Sequence, residues 1–544
     1  MKFALGDDAV QKPQPILKKE EKAPQVPVML SLKDNLDQVR AILGDSNDIV
    51  IREFKVGTVG IKAALLFVDG LIDKALVCQH LLESVMVLVR DVEAKGEASP
   101  SPEELLTLLN ERGISMLEVK TSNDFDRIFL AVLSGEAIFF LDGVAEALVV
   151  SARGWEHRSV QEPETQTLIR GPRVGFTETL RVNTTLIRRQ LRDPNLKLET
   201  VYVGRRSKTE VCIAYVQSIV NPKLLDEVNK RLNAIDVDAI MESGYIEQHI
   251  QDDWLSPFPQ VHTTERPDHV VLSLLQGKVA ILVDNTPFAL LVPATIRDFF
   301  ISPEDYYERW TIGTLVRMLR YGASFLSLIL PALYIALVSF HPEMIPTKLA
   351  LSLAAGREGV PYPAFVEALV MLSAFELLRE AGIRLPGPIG QTIGIVGGLI
   401  VGQAAVEASL VSPLMIIVIA FTGISNFAIP DYSLAISLRI LTFPLMILAA
   451  VLGLYGLVMG LFLIGSHLVS VKSFGAPILE PFSPLKPKDL RDTAFRHSLL
   501  GMHWRPETAK PQDTTRMQDL RNDNELAVKE KEASLAESRP REGK

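Results

Sequence analysis

Glu367, Glu376, Gln403 and Glu407 stand in stretches that are otherwise apolar. A carboxylate or amide in such a setting lines a water path, joins a buried ion pair or reaches an interface, because leaving it bare in hydrocarbon costs at least about 2.5 kcal/mol. These four are the candidate ion path. Two alternatives stand beside that reading. Glu376, Arg379 and Glu380 lie within one helical turn and can neutralise one another. Glu407 lies near the end of its apolar run and can reach the interface. Gly390, Gly394, Gly398 and Gly402 recur every fourth position in the same region. Such spacing lets helix backbones approach closely and is expected to pack membrane helices, although glycine is also frequent in membrane helices generally. A third set, Arg181, Arg188 and Arg192, falls near one face of a helix expected over Phe176 to Leu191. It is a candidate subunit contact for acidic groups, or a solvated basic face.

No enzyme chemistry is visible. The chain has no Walker loop, HExxH, GxSxG or CxxC, and its nine histidines are scattered. Cys78 and Cys212 stand alone, which argues against a disulfide framework or zinc site. No metal and no cofactor is expected. A net charge of −9 argues against general nucleic-acid binding.

The elements that position these residues divide the chain. Residues 1–28 and 506–544 are polar and aperiodic, and are expected to be disordered. Two α/β subdomains are expected at 30–165 and 195–296. Each contains a pair of apolar runs joined at an Asp turn, GEAIFFLDGVAEALVV and GKVAILVDNTPFALLV. Aligned without gaps, Gly135 matches Gly277, Asp142 matches Asp284, Ala147-Leu148 matches Ala289-Leu290, and Val150 matches Val292. The match is either an internal repeat or a chance likeness of two hairpins. Residues 166–194 are expected to be a linker helix carrying the basic face. Residues 297–321 are expected to form a junctional helix, with Tyr306, Tyr307 and Trp310 as interface-type aromatics and Arg309, Arg317 and Arg320 as flanking positive charge.

Residues 322–470 are expected to be a membrane domain of four spans: Gly322 to Phe340, Thr392 to Val411, Pro413 to Ile429, and Ile440 to Ile464. A re-entrant segment is expected at Pro363 to Leu378, too short and too acidic for a lipid-facing span. Residues 471–505 follow as a C-terminal segment on the cytoplasmic side. The N-terminus lacks the apolar core of a signal peptide and the tail is basic, so both ends are expected in the cytoplasm. The fold class is thus an α/β cytoplasmic region of two related subdomains followed by an α-helical transmembrane domain.

Several long stretches resemble the GerA family, the A subunits of spore germinant receptors. They are GFTETLRVNTTLIRRQLRDPNL (175–196), LPALYIAL (330–337), HPEMIPTKL (341–349), VPYPAFVEALVM (360–371), FELLREAGIRLPGPIGQTIGIVGGLIVGQAAV (375–406), SPLMIIVIA (412–420) and SFGAP (473–477). The resemblance implies a location in the inner spore membrane. It implies a transporter-like B subunit and a lipoprotein C subunit as partners, and self-association as a pentamer. It further implies a nutrient-gated channel that releases monovalent cations. The family commonly carries an acid soon after the Met of the re-entrant segment, whereas Leu372-Ser373-Ala374 follow Met371 here. The alternatives are a stage V sporulation AF-type paralogue that amplifies germination, a secondary transporter, and a non-conducting scaffold subunit.

Overall fold

The computed structural model describes residues 26–517, apart from 45, 57–59, 84, 87–100, 110–118, 155–161, 164, 386–396 and 399. Two compact units divide at residues 155 and 156, and each is described by itself.

In the first unit, strands β1 (Ile49–Val56), β2 (Ile61–Val68), β3 (Val119–Ser122), β4 (Glu136–Leu141) and β5 (Ala147–Ser151) form one sheet in the order β1-β2-β4-β5-β3. All its pairs are antiparallel. Side chains alternate across a strand, so a run that is apolar throughout needs cover on both faces. Ala64, Leu66, Ile138 and Phe140 meet Leu36 and Ile128 of the helices Leu32–Leu43 and Phe125–Leu133 on one side. Ala63, Leu65, Ala137 and Phe139 meet Val77, Leu81 and Leu105 on the other.

The second unit opens with a sheet of the same topology. Strands β6 (Leu196–Val203), β7 (Thr209–Val216), β8 (His262–Thr264), β9 (Val279–Val283) and β10 (Ala289–Val292) run in the order β6-β7-β9-β10-β8. In each sheet, then, the third strand in sequence is the far edge. The two share local detail as well. Asp142 Oδ1 accepts the Leu32 N–H at 2.9 Å, and Asp284 Oδ1 accepts the Leu180 N–H at 3.1 Å. Each aspartate of a hairpin turn thereby satisfies a donor at the start of a helix, which that helix cannot satisfy itself. The next residue is Gly143 (φ 90°) in one turn and Asn285 (φ 69°) in the other, and both donate to the chain before the helix. Asn35 and Asn183 hold that same segment through paired backbone bonds to Met29 and Thr177. The two subdomains are therefore related.

The repeat corrects one boundary. Helix Leu180–Gln190 is not a linker: it occupies in the second subdomain the place of Leu32–Leu43 in the first. Leu186 and Ile187 pack on the sheet with Val270 and Leu274.

The stretch 297–321 is not one junctional helix: Ile296–Phe300 and the short turn Glu304–Tyr307 are separate, and helix Trp310–Phe340 begins only after them. Its 31 residues reach about 46 Å, longer than a bilayer core. Helices Thr347–Arg357, Ala364–Arg384, Pro413–Phe427 and Tyr432–Ser470 complete the block, with further helix among residues 400–407. Two of them, Trp310–Phe340 and Tyr432–Ser470, are long and apolar enough to cross a membrane.

Two expectations about this block change. Ala364–Arg384 is a continuous helix of 21 residues, about 31 Å long, and runs past the end expected at Leu378. Tyr432–Ser470 is not a single straight span, because Gly453 has φ 63° and ψ −140°. In a straight helix Leu445 and Gly460 would stand about 22 Å apart. Here a Cβ on Gly460 would lie 2.5 Å from Leu445 Cδ1. Ser437 donates to the Pro257 carbonyl while His467 Nε2 sits 2.9 Å from Ser256 Oγ, so both halves end beside one loop. The segment is a helical hairpin with its tip at Gly453, next to Phe340 at the end of the long helix.

Part of the expected tail is ordered too. The Gln512 N–H donates to the Ile219 carbonyl, its amide Nε2 donates to Val220, and Arg505 Nε donates to Leu275. Residues 506–517 thus lie along the second subdomain.

Candidate functional site

The polar residues of the membrane block separate into closed and open groups. Glu367 is closed. One carboxylate oxygen lies 2.9 Å from Arg357 Nη2, and the other accepts the N–H of Ser412 at 2.9 Å. Ser412 caps Pro413–Phe427, and its hydroxyl lies 3.2 Å from Tyr334 OH. A single buried carboxylate therefore ties three helices and the end of a fourth. A charge in this setting persists only when paired and hydrogen-bonded. Its position fits a structural lock better than an ion path. Glu376 is also engaged: it pairs with Arg379 in the same helix, and Arg439 Nη1 lies 3.5 Å away. Glu380 pairs with Arg384 at 2.8 Å, outside that group.

Gln403 and Glu407 are open. The amide donates to the carboxylate at 2.9 Å, and both side chains are exposed on this chain. Gly398 lies nearby with empty space where a Cβ would go, while Gly402 faces Ile416 at an ordinary 3.9 Å. Gly390 and Gly394 lie outside the described residues. Close packing is instead made by two glycines outside the fourfold ladder. A Cβ on Gly397 would lie 2.8 Å from Leu378, and one on Gly423 would lie 2.5 Å from Phe375. Among the described residues, none stands where a Cβ on Gly398 would go.

The three arginines do not form one face. Arg188 is 1% exposed and donates to the Leu196 carbonyl at 3.0 Å, fixing the connection into β6. Arg181 and Arg192 are exposed. Leu186 and Ile187 must face the sheet, and the helical turn that buries them carries Arg188 inward with them.

A group that sequence reasoning missed lies at the base of the long helix. Arg317, fully buried, holds Asp305 through Nε at 2.8 Å and Asp492 through Nη1 at 2.9 Å. Arg320 Nη1 lies 2.9 Å from both Asp305 oxygens, Arg297 lies 3.2 Å from Asp492, and Tyr306 OH donates to Asp492 at 2.7 Å. Arg496 donates to the carbonyls of Glu308 and Tyr306. Arg317 and Arg320, read as flanking positive charge, and Tyr306, read as an interface aromatic, are instead parts of this network. Burial pushes the Tyr306 phenol up, and so does the Asp492 carboxylate. The network binds the end of the second subdomain, the long helix and the C-terminal segment into one base. Ser302-Pro303-Glu304-Asp305 announces a helix start, but nothing local announces Asp492.

Beside this base lies a cavity of about 270 Å³ lined by His262, Arg266, His269, Asp298, Arg320 and Asp431 among others. Lys278 Nζ meets Asp298 at 2.6 Å, and the second oxygen of Asp298 accepts from Thr295. Burial lowers the Lys278 ammonium, whereas Lys278 and Arg297 hold the Asp298 carboxyl well below the carboxylate range against its own burial. Burial, and then the positive charge of Lys278, drops His269 to about 4. His262 falls well below its ordinary value, first through burial and then through His269. Asp431 caps the hairpin through the Leu434 N–H at 2.8 Å, and burial raises its carboxyl to about 6. Neutral imidazoles face this acid, with His262 Nε2 3.7 Å from Asp431 Oδ2. Among the described residues no group of three or more His, Cys, Asp or Glu could hold a metal ion.

An α/β fold present twice, its second copy joined to long apolar helices through a buried ionic base, defines a membrane-associated protein with a large polar portion. The chain belongs to the Bacillus/Clostridium GerA spore germination protein family, which it matches over residues 37–508. Spore germination protein GerLA of Bacillus cereus is 44% identical over 90% of this chain and 98% of its own length. Membrane protein YfkQ of Bacillus subtilis (strain 168) is 40% identical over 91% of this chain and 94% of its own. A crystal structure of the N-terminal domain of the A subunit of the Bacillus megaterium spore germinant receptor GerK3 is 32% identical. It covers 50% of this chain and 99% of that one with a TM-score of 0.39, too low to speak for a shared overall arrangement.

Proposed function

We propose that this protein is an A-type subunit of a nutrient germinant receptor in the inner spore membrane, and that its copies assemble into a channel releasing monovalent cations. The observation that carries the reading is the exposed Gln403–Glu407 pair beside the open face at Gly398. Glu367 and Glu376 are neutralised within the chain, but among the described residues Glu407 meets only a neutral amide. Facing lipid would cost this carboxylate at least about 2.5 kcal/mol. Cover from a neighbouring copy, or water in a shared path, removes that cost. A ring of carboxylates around such a path favours cations. A pentamer is the expected assembly, with a transporter-like B subunit supplying nutrient recognition and a lipoprotein C subunit docking outside. The base network supports placing the second α/β subdomain and the C-terminal segment together on the core side of the membrane.

The test is ion flux from liposomes holding the purified protein, alone and with its B and C partners. Potassium release is expected, with Glu407→Gln lowering cation over anion preference. Gly398→Leu is expected to reduce the assembled mass by light scattering while far-ultraviolet dichroism is kept. Unselective leakage in both proteins, or a monomer in every preparation, refutes the reading.

A further inference from the structure

Between helix Ser243–Ile250 and β8 the chain makes a loop with an unusual tip. Trp254 is 80% exposed and Leu255 is 72% exposed. Two adjacent large apolar side chains left outside are costly in water, yet the loop beneath them is tightly built. The Gln260 side chain, itself buried, accepts the N–H groups of Asp252 and Asp253 and donates back to the Asp253 carbonyl. Asp253 Oδ1 accepts the Leu255 N–H at 3.0 Å, a turn in which the carboxylate is used locally. Asp252 is taken up by Arg231 at 2.6 Å and by the Phe474 N–H. The nearby acids are thus engaged in the loop base, and the tip is apolar.

The position of the tip identifies what covers it. Ser256 Oγ lies 2.9 Å from His467 Nε2, the Pro257 carbonyl accepts from Ser437, and Phe258 stacks on His467 within the core of the membrane helices. The loop is therefore fastened to the open end of the hairpin, level with the last turns of its apolar helices. Indole rings concentrate at that level in membrane proteins, because the ring is apolar and its N–H is wet.

We infer that the Trp254–Leu255 tip inserts into the lipid interface, so that the second α/β subdomain is seated on the bilayer as well as joined to its helices. The inference rests on the reading that the Tyr432–Ser470 hairpin crosses the membrane. A rigid loop loses little conformational freedom on inserting, and the two side chains leave water without displacing any contact of the chain. A bare interface is the partner that fits, since the loop is tied at Ser256 to His467, two residues from Val469, which is itself exposed on the hairpin.

The experiment uses tryptophan fluorescence of the full-length protein in phosphatidylglycerol vesicles carrying lipids brominated close to, or far from, the headgroup. One protein keeps Trp254 alone (Trp155→Phe, Trp310→Phe, Trp504→Phe). A second replaces Trp254 as well and adds Phe462→Trp on the exposed side of the hairpin, where Phe462 is 74% exposed. Trp254 is expected to lose roughly half its intensity with shallow bromines, about 5–10 Å below the surface, and less with deep ones. Phe462→Trp is expected to respond to the deep ones. If Phe462→Trp is quenched and Trp254 is not, the insertion is wrong and the spanning hairpin stands. If neither is quenched, the spanning reading fails and the inference falls with it. A blue-shifted Trp254 that no bromine reaches is covered by protein, which also overturns the inference. A nitroxide on Trp254→Cys in a Cys78→Ser background gives the same decision if the tryptophan variants express poorly, by whether oxygen or a nickel chelate relaxes it.

Discussion

Arg317 is the residue on which most of the base depends. Its guanidinium spans two acids that no neighbouring group could satisfy together, and Lys lacks the fork to do so. Arg317→Ala leaves Asp305 and Asp492 short of their main cation in a buried site, a loss of roughly 3–5 kcal/mol. A large drop in the melting temperature of the detergent-solubilised protein is expected, and an unchanged melt counts against the network. Asp431 gives a pH-dependent prediction. Its carboxyl is raised to about 6, so between its unfolded value near 3.8 and pH 6 the folded state holds a proton that the unfolded state lacks. That contribution is present at low pH and is lost as pH rises through 6. Asn in its place can still cap the Leu434 N–H but carries no charge to bury. Asp431→Asn is therefore expected to stabilise by about 3 kcal/mol at pH 8 and by little at pH 4. His269 has the opposite sign. Its folded value near 4 means that stability is full above 6.5 and lost as pH falls toward 4. His269→Gln should flatten that acid-side loss in melts across the range.

At the scale of elements, the hairpin at Gly453 makes the clearest claim. Its φ of 63° with ψ −140° is backbone that a side chain rarely adopts, and a Cβ there would lie 2.9 Å from Phe340 Cβ. Cysteines at Ser433 and Ser470 are expected to react with an impermeant reagent from the same side of sealed vesicles. Labelling from opposite sides would mean one straight span. The duplicated capping bond makes a paired prediction: Asp142→Ala and Asp284→Ala should each cost about 1 kcal/mol, each in its own subdomain, by hydrogen exchange. The repeat itself was legible from Gly135, Asp142 and their partners in the second hairpin, because turn chemistry is written in adjacent residues. The first helix of the second copy was not. Leu180–Gln190 matches Leu32–Leu43 only at scattered positions, Leu180, Asn183 and Arg188 against Leu32, Asn35 and Arg40, and Arg181, Arg188 and Arg192 drew attention to charge where the burial of Leu186 and Ile187 decided the outcome.

For the whole molecule, the C-terminal segment acts as a strap on the second unit. It supplies Asp492 and Arg496 to the base, and Arg505 and Gln512 to the second subdomain. Truncation after Lys486 removes all four. It is expected to lower the melting temperature at least as far as Arg317→Ala does, and to open the second subdomain to protease, while the first unit keeps its resistance. Equal protection of the truncated protein would show that the strap is dispensable.

The sequence by itself determined the class of this protein. Composition marks the apolar helices, continuous apolar runs mark strands covered on both faces, and an Asp turn repeated at matching positions marks two related subdomains. All of these are properties of residues near one another in the chain. Tertiary structure alone decided where the charges go. Asp492 lies far along the chain from Arg317, Ser412 far from Glu367, and Ser256 far from His467. It also decided that Gly453 reverses a helix while Gly398 meets none of the described residues, since one glycine in an apolar run looks like another until the backbone around it is closed. A buried charge takes its meaning from its partner, and such partners are chosen by packing over distances that local spacing does not encode.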